Sequence, residues 1–307
     1  MRRVALLSAC AAAAAVAGLS AWAYFRPLDA HDLALRARLW VGGVRRAKLG
    51  ELEALVRDSC GRGQECRCAA LIHGLGDSAE TWSEILLDAP AAPFPKGVRA
   101  YAVDLPGTGG SKPPLGPEGY GVRALAGSVR ASLEQARPVC SKWTVAGNSL
   151  GGWIAAWLAL DWPQGVGKLV LLSSAGLNDP SGISERTART LADPDPGNLK
   201  EFIRKASFRP GAVPERALAQ LAERLRKRPT RAMVLALREE DFLESRLAGI
   251  KPRTVILWGD ADGLIPPSQG EKLHAGIPAS SFELVARCGH LPQKECPDRV
   301  RQAVLGP

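Results

Sequence analysis

A serine, a histidine and an aspartate, the residue types that together carry out acyl transfer, each follow an apolar run in this 307-residue chain. Ser149 lies in the stretch VAGNSLGGW, between two glycines. A serine on such a tight strand-to-helix turn can act as a nucleophile, because its hydroxyl is exposed at the end of a sheet. Since G-x-S-x-G also arises by chance in a glycine-rich chain, the assignment requires a base, an acid and an oxyanion site elsewhere in the sequence.

The base has few candidates, because the chain contains only four histidines. His31 precedes the main domain, His73 ends a predicted strand beside glycines, and His274 lies in a predicted surface helix. His290, in ARCGHLPQ, follows the last predicted strand. A strand-end loop gives a side chain the reach to meet a serine at the tip of another strand, so His290 is the predicted base.

A carboxylate is needed to hold that histidine in the correct tautomer. The stretch VILWGDADGLIP supplies Asp260 and Asp262 at the end of another predicted strand. With either one, the chain order is serine, aspartate, histidine, which is the order of hydrolases with a nucleophile elbow. The order alone does not choose between the two aspartates.

The elements that must position these residues alternate between short apolar runs and helical stretches from about residue 66 onward. The predicted strands are 67–72, 98–103, 142–146, 168–173, 253–258 and 282–286, and the predicted helices include 122–137, 153–160 and 297–304. This alternation predicts an α/β fold with a mostly parallel sheet covered on both faces, in which ligands bind at the carboxyl ends of the strands.

The stretch from about residue 178 to 248 breaks the alternation. It contains several prolines and a run in which Leu218, Leu221 and Leu225 recur at helical spacing. We interpret it as a helical insertion, or lid, over the strand ends, with the leucines packing largely against the domain.

Five motifs, found in order between about residues 66 and 304, resemble those of the α/β-hydrolase superfamily: HGLG, DLPGTGGS, GNSLGG, WGDADGLIP and GH. The resemblance implies the α/β-hydrolase fold with an inserted helical lid. It also implies Ser149 as nucleophile, His290 as base and Asp262 as acid. Asp262 is preferred to Asp260 because it occupies the aspartate position of the fourth motif.

The oxyanion of the tetrahedral intermediate needs two backbone N–H donors. The residue after the nucleophile, Leu150, supplies one, and by similarity to the family Leu75 in HGLG supplies the other. By the same resemblance, His73 and Asp104 are expected to hold loops in place and to take no part in proton transfer. No cofactor is expected, and no metal, because the C-x-C at residues 66–68 has no partner motif.

Within the superfamily, GNSLGGWIAAWLA and LVLLSSAGL are most similar to the membrane-tethered monoacylglycerol lipase and esterase branch. The resemblance implies hydrolysis of small-molecule or lipid carboxylic esters through an acyl-enzyme on Ser149. Two alternatives with the same triad are a C–C bond hydrolase and a cofactor-free perhydrolase, and a third is a non-catalytic binding protein. Haloalkane dehalogenases and epoxide hydrolases are disfavoured, because they carry aspartate where Ser149 stands.

Residues 1–25 contain two arginines followed by an uncharged stretch of 22 residues, ten of them alanine. This pattern predicts either a weak membrane anchor or a signal peptide cleaved after Ala21-Trp22-Ala23. Residues 26–50 are predicted to form a basic stalk or helix, and residues 51–307 the hydrolase domain with its lid at about 178–248. The arginines after residue 25 favour a cytoplasmic location for that side, which conflicts with export.

Apart from Cys10, the chain contains six cysteines, an even number that suits an oxidising compartment, although six reduced thiols remain an alternative. The superfamily places the third strand beside the fifth, which implies that Cys66 or Cys68 pairs with Cys140. Cys288 and Cys296 flank His290 and are expected to pair, leaving Cys60 for the remaining cysteine. These features predict an exported protein, either membrane-anchored and facing the periplasm or exterior, or secreted after cleavage.

The net charge of +9 would attract an anionic membrane surface or a nucleic acid. The chain has no nucleic-acid-binding motif, and its basic residues are scattered among acidic ones. A nucleic-acid partner is therefore not expected, and a membrane surface is a candidate partner. The oligomeric state is left open.

Overall fold

The computed structural model describes residues 20–61, 66–89, 92–136, 139–178 and 183–306, and all structural statements concern these residues. Eight strands form one sheet in the order β1-β2-β4-β3-β5-β6-β7-β8. β2 runs antiparallel to the other seven strands, which are parallel to one another. The strands are β1 (Arg45–Leu49), β2 (Leu52–Asp58), β3 (Arg67–Ile72), β4 (Val98–Val103), β5 (Trp143–Asn148), β6 (Val166–Leu172), β7 (Arg253–Gly259) and β8 (Ser280–Val285). The α/β-hydrolase fold predicted from the motifs is confirmed.

Helices cover both faces of this sheet. They are α1 (Pro27–Val41), α2 (Ser83–Leu86), α3 (Val122–Gln135), α4 (Leu150–Asp161), α5 (Ile183–Ala192), α6 (Pro196–Ala206), α7 (Glu215–Lys227), α8 (Thr230–Leu235), α9 (Pro267–Gly276), α10 (Pro292–Glu295) and α11 (Pro297–Leu305). Alternate residues of β3 enter opposite apolar clusters: Ala70 and Ile72 pack with α3 and α4, while Ala69 and Leu71 pack with α2 and α11. Burial on both faces explains why the central strands are apolar throughout.

The described part of the insertion between β6 and β7 contains the four α-helices α5 to α8, followed by two short 3-10 helices. Leu191, Leu199, Leu218 and Leu225 form a small apolar cluster within it, separate from the two clusters on the sheet. The leucine spacing predicted helices here, and α7 forms over that run. The stripe stabilises the insertion itself more than the sheet below it, contrary to the expectation that it packs mainly on the domain.

The structure differs from the predicted domain boundary at residue 51, because β1 already belongs to the sheet and pairs with β2 over five residues. The first two strands form a regular antiparallel hairpin. Four of the five residues of β1 are exposed, and only Leu49 is buried. Such a charged edge strand lacks the alternation by which strands are recognised in a sequence.

Among the described residues, none of the helices has the length and apolar character needed to cross a membrane. Most of the predicted anchor or signal segment, residues 1–25, lies outside the described residues, which begin at residue 20.

The three expected cysteine pairs are present. Cys68 is bonded to Cys140, Cys60 to Cys66, and Cys288 to Cys296, with Cα separations of 5.6, 5.9 and 6.1 Å. The first bond joins the start of β3 to the segment before β5, because these strands are neighbours in the sheet. Disulfides of this kind are typical of proteins that fold in an oxidising compartment.

Removing the Cys68–Cys140 bond by a double serine replacement is expected to lower the free energy of unfolding by about 4 kcal/mol, because this bond closes the longest loop of the three. The matched control is the double serine replacement at Cys60 and Cys66, because that bond joins cysteines only six residues apart. Its expected cost is about 2 kcal/mol. Urea unfolding of the oxidised proteins measures both, and equal losses would contradict the loop-length argument.

Candidate active site

Ser149 occupies the turn between β5 and α4 with φ 56° and ψ −121°, a conformation that non-glycine residues rarely adopt. The turn is tight because of the flanking glycines. A Cβ on Gly147 would lie 2.0 Å from the carbonyl oxygen of Gly151, and one on Gly151 would lie 2.2 Å from that of Ile72. The glycines therefore allow α4 to begin directly against the strands, and Ser149 is placed at the carboxyl edge of the sheet.

His290 and Asp262 meet beside this turn. His290 Nδ1 lies 2.8 Å from Asp262 Oδ2, and both side chains are buried. The other carboxylate oxygen, Oδ1, accepts the backbone N–H groups of Leu264 and Ile265 at 2.9 and 3.0 Å. A carboxylate held in this way accepts a proton from Nδ1, so in the neutral tautomer Nε2 is the nitrogen that can accept a proton.

The two aspartates of the WGDADG motif have different surroundings. Asp260 is exposed, and its carboxylate accepts the backbone N–H of Cys288 at 3.2 Å. Asp262 alone of the pair contacts His290. The structure thus brings together the histidine and the aspartate that the motif spacing favoured.

The backbone of His290 is fixed by two further hydrogen bonds. Its N–H donates to the carbonyl of Ala206 at 2.7 Å, and its carbonyl accepts the side-chain amide of Asn148 at 2.9 Å. Asn148 Oδ1 in turn accepts the amide of buried Gln293 at 3.2 Å. Asn148, which directly precedes Ser149, therefore links the turn of Ser149 to the loop of His290. Nothing in the sequence marks Gln293, since a glutamine is ordinarily solvated.

The C-terminal end of α6 is bonded to both loops that carry the pair. Besides the Ala206–His290 bond, the carbonyl of Lys205 accepts the N–H of Gly263 at 3.0 Å. The N–H groups of Phe208 and Gly289 both donate to one oxygen of Glu295, each at 3.0 Å. This end of the insertion is consequently held against the site by three hydrogen bonds, and the Gly289–Glu295 bond holds the loop of His290 itself.

A cavity of about 1560 Å³ lies between the strand ends and the helical insertion. Ser149 and His290 line it, together with Leu75 and Leu150. Within the described chain, the backbone N–H groups of Leu75 and Leu150 donate no hydrogen bond. The side of the cavity formed by the insertion is mixed. Its apolar residues include Leu191, Leu199, Phe202, Leu221 and Leu225, and its basic residues include Arg189, Arg224, Lys227 and Arg228. All five predicted site residues are therefore gathered at one place, Asp262 behind His290 and the other four at the cavity surface.

His73 and Asp104 hold loops, as the resemblance implied. His73 is fully buried; its Nε2 accepts the N–H of Leu105 at 3.2 Å, and its Nδ1 donates to the carbonyl of Gly74 at 2.8 Å. Asp104 accepts the N–H groups of Ala79 and Gly110 at 2.8 and 3.0 Å and pairs with an arginine of β1. Burial lowers the pKa of His73, so its ring is neutral in the folded protein.

This buried histidine predicts a loss of stability in weak acid. Below about pH 6.5 the unfolded chain binds a proton on His73 that the folded chain excludes, so the free energy of unfolding falls as the pH decreases, by up to about 1.4 kcal/mol per pH unit. Urea unfolding between pH 7 and pH 5 measures the slope. His73→Gln is expected to reduce it, whereas His274→Gln, at an exposed histidine, is not. Equal slopes in the two variants would contradict the assignment.

The comparisons with known proteins agree with this geometry. Residues 70–303 match the model of the alpha/beta hydrolase family. The chain therefore belongs to the α/β-hydrolase family, and it is a hydrolase.

Among individual proteins, it is 30% identical over 261 residues to the 2-hydroxy-6-oxononadienedioate/2-hydroxy-6-oxononatrienedioate hydrolase of Escherichia coli O81 (strain ED1a), covering 81% of this chain and 88% of that protein. The structure of a bacterial membrane phospholipase A is similar with a TM-score of 0.72 and 25% identity, over 98% of this chain and 96% of that one. The 2-hydroxy-6-oxo-6-phenylhexa-2,4-dienoate hydrolase of Rhodococcus sp. strain RHA1 shares the fold, with a TM-score of 0.67 at 20% identity over 84% and 95% of the two chains.

Proposed function

We propose that this protein hydrolyses carboxylic esters through an acyl-enzyme on Ser149. The observation that carries the proposal is the convergence on one cavity of the Ser149 turn, the His290–Asp262 pair and the two unpaired N–H groups of Leu75 and Leu150. This is the full set of groups that acyl transfer to a serine requires.

In the proposed reaction, Ser149 Oγ attacks the ester carbonyl while His290 Nε2 takes its proton. Asp262 holds the imidazole through Nδ1 and stabilises the imidazolium that forms. The N–H groups of Leu75 and Leu150 donate to the oxyanion, and each such donor is worth about 3 kcal/mol of transition-state stabilisation. His290 then protonates the leaving alkoxide, and a water molecule attacks the acyl-enzyme by the same steps in reverse.

The apolar side chains on the insertion side of the cavity support a lipid ester as substrate, because an acyl chain gains free energy when it leaves water for such side chains. The similar structure of a membrane phospholipase A supports the same choice. The three disulfides support export, with residues 1–25 serving as membrane anchor or as a cleaved signal. The proposed enzyme thus acts on lipid esters outside the cytoplasm.

A second candidate is hydrolysis of a C–C bond in a diketone by the same triad. The Escherichia coli hydrolase named for a 2-hydroxy-6-oxo-dienedioate, at 30% identity, favours it. The cavity itself does not exclude this reaction, because Arg189, Lys227 and Arg228 of the insertion also line it and would suit a substrate with two carboxylates. We rank the ester reaction first because of the apolar part of the lining and the similarity to the membrane phospholipase A over 98% of this chain.

A substrate panel separates the candidates. We expect the purified full-length protein to hydrolyse p-nitrophenyl esters and monoacylglycerols, with kcat/KM rising from acetyl to medium or long acyl chains, and to leave a 2-hydroxy-6-oxo-dienoate unchanged. Cleavage of the diketone without ester hydrolysis would establish the C–C reaction instead. Failure of a fluorophosphonate probe to label the protein would indicate a non-catalytic binding protein.

A further inference from the structure

The N-terminal helix α1 exposes an apolar face where a surface helix normally carries charge. At 3.6 residues per turn, one side of α1 consists only of apolar residues. They are Ala30, Leu33, Ala34, Ala37, Trp40 and Val41. Leu33, Trp40 and Val41 are 60, 65 and 79% exposed. We call these six residues the outer face of α1.

The opposite side of α1 is occupied by the protein itself. Leu28, Leu35 and Leu39 line the large cavity. The N–H of Leu28 donates to Gln220 of the insertion helix α7 at 2.9 Å. Arg224 of α7 contacts both acidic residues of α1, Asp29 at 2.6 Å and Asp32 at 2.9 Å. These contacts fix the rotation of α1 about its axis, so most of the outer face points away from the protein, and Trp40 at the edge of that face also borders the cavity.

The residues that precede α1 also expose apolar side chains. Of the ten large apolar side chains exposed in the described chain, six lie between residues 22 and 41, and Trp22, Tyr24 and Phe25 are among them. Singly scattered exposed apolar residues need no explanation, but their concentration in one short segment indicates an interaction site.

Charge and chain continuity indicate what covers this surface. The segment from residue 20 to residue 50 carries six cationic and two acidic side chains. Within the described residues, Arg36, Arg45 and Lys48 form no ion pair with any acidic group, and the guanidinium of Arg45 lies 5.3 Å from the centre of the Trp40 ring. Tryptophan and tyrosine beside arginine and lysine are typical of helices that lie in the headgroup region of a bilayer.

The position of α1 along the chain also indicates a membrane surface. The uncharged stretch of residues 4–25 ends two residues before α1 begins. If that stretch enters a bilayer, α1 starts at the membrane surface, because one or two residues span only a few ångströms.

We propose that the outer face of α1 lies in the interface of an anionic phospholipid bilayer, and that α1 thereby positions the mouth of the cavity at the lipid surface. The inner face of α1 lines that cavity, so a lipid leaving the bilayer beside α1 meets the route to Ser149. This inference rests on the proposed function, because contact between α1 and a bilayer brings a lipid ester directly to the site.

The first test compares two matched double variants of the full-length protein on two substrates. Leu33→Glu/Val41→Glu changes the outer face, and Leu115→Glu/Leu284→Glu changes two leucines that are exposed elsewhere. On vesicles of phosphatidylcholine and phosphatidylglycerol, we expect hydrolysis by the first variant to fall at least about tenfold while the second keeps the wild-type rate. Both variants should hydrolyse soluble p-nitrophenyl butyrate normally. Equal vesicle rates for the two variants would overturn the inference.

The second test does not depend on catalysis. In Ser149→Ala protein, vesicles with brominated acyl chains should quench tryptophan fluorescence, and adding Trp40→Phe should remove part of the quenched emission. If the wild-type protein hydrolyses no ester, the proposed function fails, but quenching still decides the lipid contact. Absence of quenching, together with a dimer that Leu33→Glu/Val41→Glu dissociates in sedimentation equilibrium, would assign the outer face to a second copy of the chain and overturn the inference.

Discussion

Replacing Ser149 with alanine is expected to lower kcat for ester hydrolysis by at least about 10⁴-fold, since removal of a serine nucleophile eliminates the acyl-enzyme route. The measurement is the rate of p-nitrophenyl butyrate hydrolysis at saturating substrate. The variant should also lose all labelling by a fluorophosphonate probe. Because alanine differs from serine only by the hydroxyl, the fold should be retained, and circular dichroism checks this.

The control for this variant is Ser128→Ala, which removes a hydroxyl that donates to the carbonyl of Ala124 within α3, away from the cavity. It should keep the wild-type rate and the wild-type labelling. If Ser149→Ala retained esterase activity comparable to that of the control, the nucleophile would lie elsewhere and the proposed reaction would be wrong.

Replacing Asp262 with asparagine is expected to lower kcat by about 10⁴-fold, because an amide can no longer hold His290 in the tautomer whose Nε2 accepts the serine proton. Asp260→Asn is the matched control, since Asp260 lies two residues away, is exposed and bonds only a backbone N–H in the described chain. Asparagine keeps a side-chain oxygen that can accept this N–H, so the activity of Asp260→Asn should be close to that of the wild type.

The double variant Ser149→Ala/Asp262→Asn tests whether the residues act as one unit. If they do, its rate should be no lower than that of Ser149→Ala alone, because the steps that Asp262 assists no longer occur. A further large drop in the double variant would show that Asp262 contributes by a separate route, and the triad assignment would have to be abandoned.

The sequence predicted the central sheet closely because its strands are buried on both faces. Residues 67–72 and 98–103 form strands with the predicted bounds, and each site motif follows a strand end as expected. Buried parallel strands produce continuous apolar runs, and the turns after them carry the polar residues of the site. The choice of Asp262 over Asp260 came from motif spacing, and the structure places Asp262 against His290.

The features that could not be predicted are those set by contacts distant in sequence. Gln293 gains its role only because Asn148 lies next to it in the fold. β1 is a charged edge strand with one buried residue, so its pattern resembles a loop. In α1 both faces contain leucines, and the sequence does not indicate which face the insertion covers. That choice is made by Asp29 and Asp32 binding Arg224, nearly 200 residues later.

Three hydrogen bonds join residues 205–208, at the end of α6, to Gly263, His290 and Glu295. The insertion is also held on its other side, because Gln220 and Arg224 of α7 are bonded to α1. A rearrangement of the insertion that displaces residue 206 would therefore pull on the backbone of His290, so the alignment of the proposed base is coupled to the position of the insertion.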